Sequence, residues 1–425
     1  MSRTIDKVVV LGANGAMGAG SGETFAAAGI RTVFLARTRD KARQGVARAE
    51  KMAKSDAIAR LISVGSYDED LAREVGDADL VFEAVAEDLA TKREIFAAVD
   101  AARRPDALVA TVSSGLSIAA MAAGRSDSFA RHFLGIHLFN PPNVIVGCEV
   151  IPHAGTDRDL TGFVVGWLTG ALGRRVVVTS DTPAFCGNRV GFKVLNECAQ
   201  LAAEHGPAFI DGLIGPHTGR AMAPLATIDF VGWDVHAAIV DNLYAHTRDE
   251  AHDAFALPGY MRELVRAGHL GGKTPDQGGF FRKQAVLDPG KRTYGAPPER
   301  PLPELVGRMK QLHRVGRYRE ALAVMAAAEG ADADLMRRVV LGYVSYGLGR
   351  VGEVVESAAD VDRIMGFGFN WAPPTVIVDL LGARRTAALL EAARLPVPAV
   401  VAQAIASGRR LFTDPDVDPG RFFFA

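Results

Sequence analysis

The sequence predicts an α/β chain: a doubly wound, largely parallel sheet in its first part, followed by a helical region that occurs twice. Three observations carry that expectation. Short β-branched runs alternate with helical stretches through residues 1–182, as they do when crossover helices bury a sheet on both faces. A glycine-rich turn follows the first of those runs directly. Beyond it, apolar residues recur at helical spacing, and one pattern appears twice: Pro224–Asp229–Gly232 and Pro374–Asp379–Gly382, with the same two intervals.

Composition limits the class of protein. A chain of 425 residues has room for roughly two to three domains. Hydrophobic residues at 48% and charged residues at 23% are those of a globular protein, and a net charge of -1 leaves no footprint for duplex nucleic acid or an anionic membrane. The three cysteines, Cys148, Cys186 and Cys198, fit neither a disulfide framework nor a zinc site, so no metal is expected and a reducing, cytoplasmic setting is. Met1 runs into the first strand without an export signal, and no apolar span is long enough to cross a membrane.

In order, Lys7 to Leu11 reads as a buried parallel strand. The turn after it holds Gly12, Gly15, Ala16, Met17 and Gly18 as candidate cofactor contacts. Its glycines permit a tight bend and a close backbone approach to a pyrophosphate, whose charge meets the amides of a helix starting near Met17. The Gly-x-x-Gly-x-x-Gly spacing makes this loop one residue longer than the usual fingerprint. The second strand, 32–37, ends where dinucleotide sites place an acid for the ribose of NAD, and Ala36 stands there instead. Arg37 and Arg39 follow, read either as partners for the extra phosphate of NADP or as solvated surface. NAD is the expected cofactor, and Ala36 leaves NADP open. Further strands are expected at 61–64, 80–85, 108–112, 133–138, 148–151 and 175–179, with helices at 91–102 and 157–172.

Three strand ends carry polar groups: Glu87 with Lys92, Ser113 with Ser114, and His137. His137 lies in Phe-Leu-Gly-Ile-His-Leu-Phe-Asn-Pro-Pro, 133–142, and Glu149 lies in the next strand. Two strands joined by a proline-broken loop let an imidazole meet a carboxylate, which orients it and makes it a better base. A lone histidine on an apolar strand is more often a core residue. Glu149 in the neighbouring strand is the orienting acid that a histidine base needs.

These stretches, with 85–92, 113–115, 181–189 and 270–281, resemble the L-3-hydroxyacyl-CoA dehydrogenase family, in particular the dehydrogenase portion of multifunctional fatty-acid β-oxidation proteins. The resemblance spans nearly the whole chain. It implies a Rossmann-type domain followed by a duplicated all-α C-terminal domain of the 6-phosphogluconate-dehydrogenase-like kind. It also implies NAD-linked oxidation of a 3-hydroxyacyl-CoA to the 3-oxoacyl-CoA. On the matching positions, His137 is the general base and Glu149 orients it, Ser114 bonds the substrate oxygen, and Asn188 holds the substrate. Glu87 and Lys92 then line the nicotinamide end. Val112-Ser113-Ser114 departs from the family's Asn-Thr-Ser, so one polar cofactor contact is expected to be missing. Two other readings are another β-hydroxyacid dehydrogenase, against which the His137/Glu149 pair argues, and a non-catalytic dinucleotide-binding protein on the same fold.

The expected domains are a cofactor domain at 1–182, a first helical domain at 183–285, a Pro/Gly-rich linker at 286–303, a second helical repeat at 304–392 and a tail at 393–425. Because one helical unit can bury a face against its copy, the chain is expected not to need the dimer that short family members form there. Acyl-CoA is the expected ligand and other β-oxidation enzymes the suggested associates, with no nucleic-acid or membrane partner. Nothing resembles an enoyl-CoA hydratase half, so the chain is read as stand-alone or as the front of a larger protein. Lys51 and Lys54 read as CoA-phosphate partners or a solvated helix face, Cys148 as a small core residue, and His205 and His217 as structural or surface.

Overall fold

A computed structural model describes residues 3–297, 300–415 and 417–423. Positions 298 and 299 of the expected linker, and 416, 424 and 425 of the expected tail, lie outside the described residues, as do Met1 and Ser2. The chain separates into two compact units, Met1–Phe185 and Cys186–Ala425.

In the first unit the elements run β1 (Lys7–Leu11), α1 (Ala16–Ala27), β2 (Arg31–Ala36), α2 (Arg39–Ala53), β3 (Ile62–Ser66), α3 (Tyr67–Gly76), β4 (Leu80–Glu83) and α4 (Leu89–Ala102). They continue through β5 (Leu108–Thr111), α5 (Ile118–Ala122), α6 (Asp127–Arg131), β6 (Phe133–Leu138), β7 (Gly147–Pro152), α7 (Arg158–Leu172) and β8 (Arg175–Val178). The eight strands form one sheet in the order β3-β2-β1-β4-β5-β6-β7-β8. Its pairs are parallel except β6 with β7, which the short proline-broken loop makes antiparallel. Val8 and Val10 enter one core while Val9 and Leu11 enter the other, which is why β1 is apolar from Val8 to Leu11 rather than alternating. Helix starts are set locally: Thr38, Ser66, Asp88 and Asp157 cap α2, α3, α4 and α7 with side-chain oxygens. The strand expected at 80–85 stops at Glu83, because its carboxylate accepts the Val85 amide at 2.6 Å and turns the chain out of the sheet.

The second unit runs α8 (Gly187–His205), α9 (Pro207–Leu213), α10 (Pro224–Val231), α11 (Trp233–His246), α12 (Gly259–Arg266), β9 (Phe281–Arg282), β10 (Ala285–Asp288) and β11 (Thr293–Gly295). It then passes through α13 (Glu304–Arg314), α14 (Tyr318–Ala327), α15 (Ala331–Gly349), α16 (Ala358–Gly368), α17 (Pro374–Leu381), α18 (Ala383–Ala392) and α19 (Ala399–Ser407). The repeat is visible in its hydrogen bonds. α10 and α17 each begin on a proline and are followed by a glycine of positive φ, Gly232 at +100° or Gly382 at +88°. Asp229 accepts the amides of Phe280 and Phe281, both at 2.9 Å, and Asp379 accepts those of Leu411 and Phe412 at 3.0 and 3.1 Å. Asp211 holds the first amides of α10, and Asp362 bonds Thr375 at the start of α17. Between the copies, the buried Arg220 guanidinium lies over Trp371 at 4.8 Å and Tyr343 at 5.7 Å.

Two expectations change here. The 286–303 stretch is not a plain connection, since β10 and β11 form an antiparallel hairpin extended by β9; Val286 and Leu287 are buried, so the hairpin has a reason to pack. The tail carries the helix α19. Among the described residues no helix is long and apolar enough to cross a membrane.

Candidate active site

The glycine turn between β1 and α1 has the shape its sequence demands. Gly12 has φ +75°, and a Cβ there would sit 2.3 Å from the Ala84 carbonyl oxygen. A Cβ on Gly18 would sit 2.5 Å from the Gly12 oxygen. The backbone therefore comes as close to its neighbours as only glycine permits, leaving a cradle against the start of α1. Gly15 caps that helix without a side-chain acceptor, and the first turn, from Ala16 and Met17, holds no acid. An anionic pyrophosphate suits such an end. The Gly12 amide is held by the Tyr67 hydroxyl at 2.8 Å, a contact no motif announced. Ala36 is fully buried at the end of β2, and Arg37 beside it is exposed. Arg39, read as a candidate phosphate partner, instead pairs with Glu69 at 3.1 Å and Asp70 at 2.8 Å.

The ends of β4 and β5 form a polar cluster. Lys92 is buried and its Nζ lies 2.8 and 2.9 Å from the two carboxylate oxygens of Glu83, and 3.3 Å from Glu87. Glu87, half-exposed, accepts the Ser113 hydroxyl at 2.5 Å and the Ser114 amide at 2.9 Å. The structure thus brings the predicted Glu87, Lys92 and Ser114 together. It adds Glu83, whose only signal in the sequence was a charge inside an apolar strand.

His137 and Glu149 are direct partners across the β6–β7 ladder, with His137 Nδ1 2.7 Å from Glu149 Oε2. Their side chains are 3% and 0% exposed. A ladder pair has its Cβ atoms on one face of the sheet, so backbone register alone aims the carboxylate at the ring. With Nδ1 donating to Glu149, Nε2 is the nitrogen left to take a proton. Phe139 and Phe185 wall the imidazole, with ring centroids at 4.7 and 5.7 Å. Phe185 reaches it through a strained turn: Ala184 and Phe185 both have φ +57°, at about 1–2 kcal/mol each. Asp181, in the same segment, accepts the Ile118 and Ala119 amides at 2.9 and 2.8 Å and anchors the turn to α5.

Asn188 stands in the first turn of α8, in the second unit, and is buried. It is not the cap, which is Cys186. Lys273 pairs with Asp234 at 2.8 Å. Lys51 and Lys54 are exposed on and after α2. Burial pushes the Cys148 thiol up to about 12, consistent with a packing role, and pushes the fully buried His217 down to about 3, so it is no surface residue. Among the described residues no cluster of His, Cys, Asp or Glu could hold a metal.

Comparison with known proteins gives the family. The model of the 3-hydroxyacyl-CoA dehydrogenase NAD-binding domain matches residues 7–182, and that of the 3-hydroxyacyl-CoA dehydrogenase C-terminal domain matches 185–280. A probable 3-hydroxyacyl-CoA dehydrogenase of Bacillus subtilis is 29% identical over 97% of this chain, which spans 55% of that protein's length. A probable 3-hydroxyacyl-CoA dehydrogenase of Deinococcus radiodurans is 34% identical, covering 66% of this chain and 83% of its own. In fold, the chain is similar to the crystal structure of an Escherichia coli 3-hydroxybutyryl-CoA dehydrogenase, with a TM-score of 0.70, 21% identity, and 95% and 99% of the two chains covered. The first unit is an NAD-binding domain, and the chain belongs to the 3-hydroxyacyl-CoA dehydrogenase family.

Proposed function

We propose that this chain oxidises the 3-hydroxyl of an L-3-hydroxyacyl-CoA to a ketone, as a dehydrogenase of fatty-acid β-oxidation. The observation that carries the reading is the buried His137–Glu149 pair set by adjacent strands. His137 Nε2 takes the hydroxyl proton, and Glu149 compensates the charge the ring acquires. Ser114, on the turn held by Glu87, hydrogen-bonds the substrate oxygen, and Asn188 helps hold the substrate. Gly12, Gly15, Ala16, Met17 and Gly18 receive the pyrophosphate, Ala36 and Arg37 flank the adenosine ribose, and Glu87 and Lys92 line the nicotinamide end. When bound, NAD supplies the hydride acceptor.

Oxidation of NADH and, separately, of NADPH by acetoacetyl-CoA tests this reading. The expected result is NADH-linked turnover in wild type that falls by about a hundredfold or more in His137→Ala. Equal rates in the two proteins would sink the dyad, and no turnover at any acyl-chain length would favour a binding protein. The packing of buried Arg220 in one helical copy over Tyr343 and Trp371 in the other supports a chain that needs no dimer through these helices. Sedimentation showing an obligate dimer built on them would count against that.

A further inference from the structure

Five side chains at the ends of β4 and β5 close a ring of polar contacts. Glu83 and Thr111 are ladder partners, and the Thr111 hydroxyl donates to Glu83 Oε2 at 2.6 Å. Glu83 also grips Lys92 Nζ with both oxygens, and Lys92 faces Glu87 at 3.3 Å. Glu87 holds the Ser113 hydroxyl and the Ser114 amide through its Oε1. The Ser113 amide returns to Thr111 Oγ1 at 3.2 Å and completes the circuit.

The burial is graded. Glu83 and Lys92 have side chains 0% and 1% exposed, whereas that of Glu87 is 45% exposed. A buried ammonium needs an anion, and the enclosed Glu83 satisfies it with two oxygens at shorter range than Glu87 does. Because that charge is already met, Glu87 is left to commit Oε1 to the two serines instead of being drawn inward. Remove the Glu83 charge, and Lys92 has only Glu87 to satisfy it.

We propose that Glu83 is a positioning residue for the reaction: by neutralising Lys92 it keeps Glu87 on the Ser113–Ser114 turn, and so fixes where the Ser114 hydroxyl stands. The proposal rests on the reading of Ser114 as the group that meets the substrate oxygen. Nothing in the sequence pattern assigned Glu83, which touches neither serine itself.

The test compares Glu83→Gln, Lys92→Met and the double variant in the full-length chain, with acetoacetyl-CoA and NADH. Rates are expressed per NADH-binding site, so that unfolded protein is not counted. Glu83→Gln is expected to lower kcat by about tenfold to a hundredfold, with KM for acetoacetyl-CoA within about threefold, and to lower the melting temperature. The double variant, which removes both charges, is expected to regain melting temperature but to keep the kcat of Lys92→Met. If the double variant were slower than Lys92→Met, or Glu83→Gln turned over like wild type, the proposal would be overturned. A second measurement needs no substrate: hydrogen exchange of the Ser114 amide is expected to accelerate about tenfold in Glu83→Gln, while amides of β1 keep their rates. Unchanged exchange at Ser114 would reject the positioning role. Absence of acyl-CoA turnover in wild type, with the exchange shift present, would instead reject the assigned reaction.

Discussion

At the strand ends of the first unit, Glu83 and Glu149 are fully buried, and each faces a side chain that carries or can take a positive charge, Lys92 or His137. At the helix starts of the second unit, Asp211 and Asp362 are met by other donors. Asp211 takes the Leu225 and Ala226 amides at 2.8 and 2.9 Å, and Asp362 takes the amide and hydroxyl of Thr375. Burial outweighs those hydrogen bonds and pushes both aspartates up to about 7. The contrast separates two uses of an enclosed acid. A carboxylate set against a cation has its charge compensated and can steer that partner, whereas one held by neutral donors serves as a helix brace and is drawn toward its protonated form.

The sharpest way to break the comparison is at Glu149. Glu149→Gln keeps the volume but removes the charge behind His137, and kcat is expected to fall by about two to three orders of magnitude, read by stopped-flow oxidation of NADH. A fall smaller than about threefold would place Glu149 with the braces. Next comes a brace itself. Asp229→Ala leaves the Phe280 and Phe281 amides and the Trp233 indole N–H without their acceptor, at an expected cost of about 2–4 kcal/mol in urea unfolding.

The braces also leave a mark on the pH dependence of stability. The folded-state value of Asp362, about 7, lies above the roughly 3.9 of an unfolded aspartate. Its contribution is therefore full below about pH 4, declines as pH rises, and is lost above about pH 7. Asp362→Asn, with no proton to lose, is expected to flatten that decline by at most about 1.4 kcal/mol per pH unit, measured as urea midpoints at pH 5 and 8. The buried His217 and His236, both pushed down to about 3, act with the opposite sign: their contribution is present above about pH 6.5 and is lost as pH falls toward 3. The smallest effect is expected at the strained turn beside the dyad. Ala184→Gly relieves one left-handed alanine and is expected to raise stability by about 1 kcal/mol in thermal unfolding, with turnover within about twofold.

Much of the site was legible because its signals are local. The Gly12 turn lies within one loop, and the Asp229 and Asp379 patterns repeat within single helices. The His137–Glu149 meeting needs only two neighbouring strands, so a strand–loop–strand reading reaches it. The ring around Glu83 was not legible, because Glu83, Lys92 and Thr111 come together only when β4, α4 and β5 are laid side by side. A lone Glu at the end of an apolar run is equally a strand terminus. Arg39 misled for the same reason, since its partners Glu69 and Asp70 lie a full βα unit further on.

The sequence by itself determined the alternation of strands and helices, the glycine turn, the strand–loop–strand setting of His137 and Glu149 and the duplicated Pro–Asp–Gly helical pattern, because periodicity, turn chemistry and short-range pairing are properties of contiguous residues. Only the tertiary structure decided which buried charge compensates which. It seated Lys92 on Glu83, held Gly12 with Tyr67, took Arg39 to Asp70 and folded the expected linker into a hairpin. Compensation of a buried charge depends on ångström distances between segments far apart in the chain, and no local pattern encodes those.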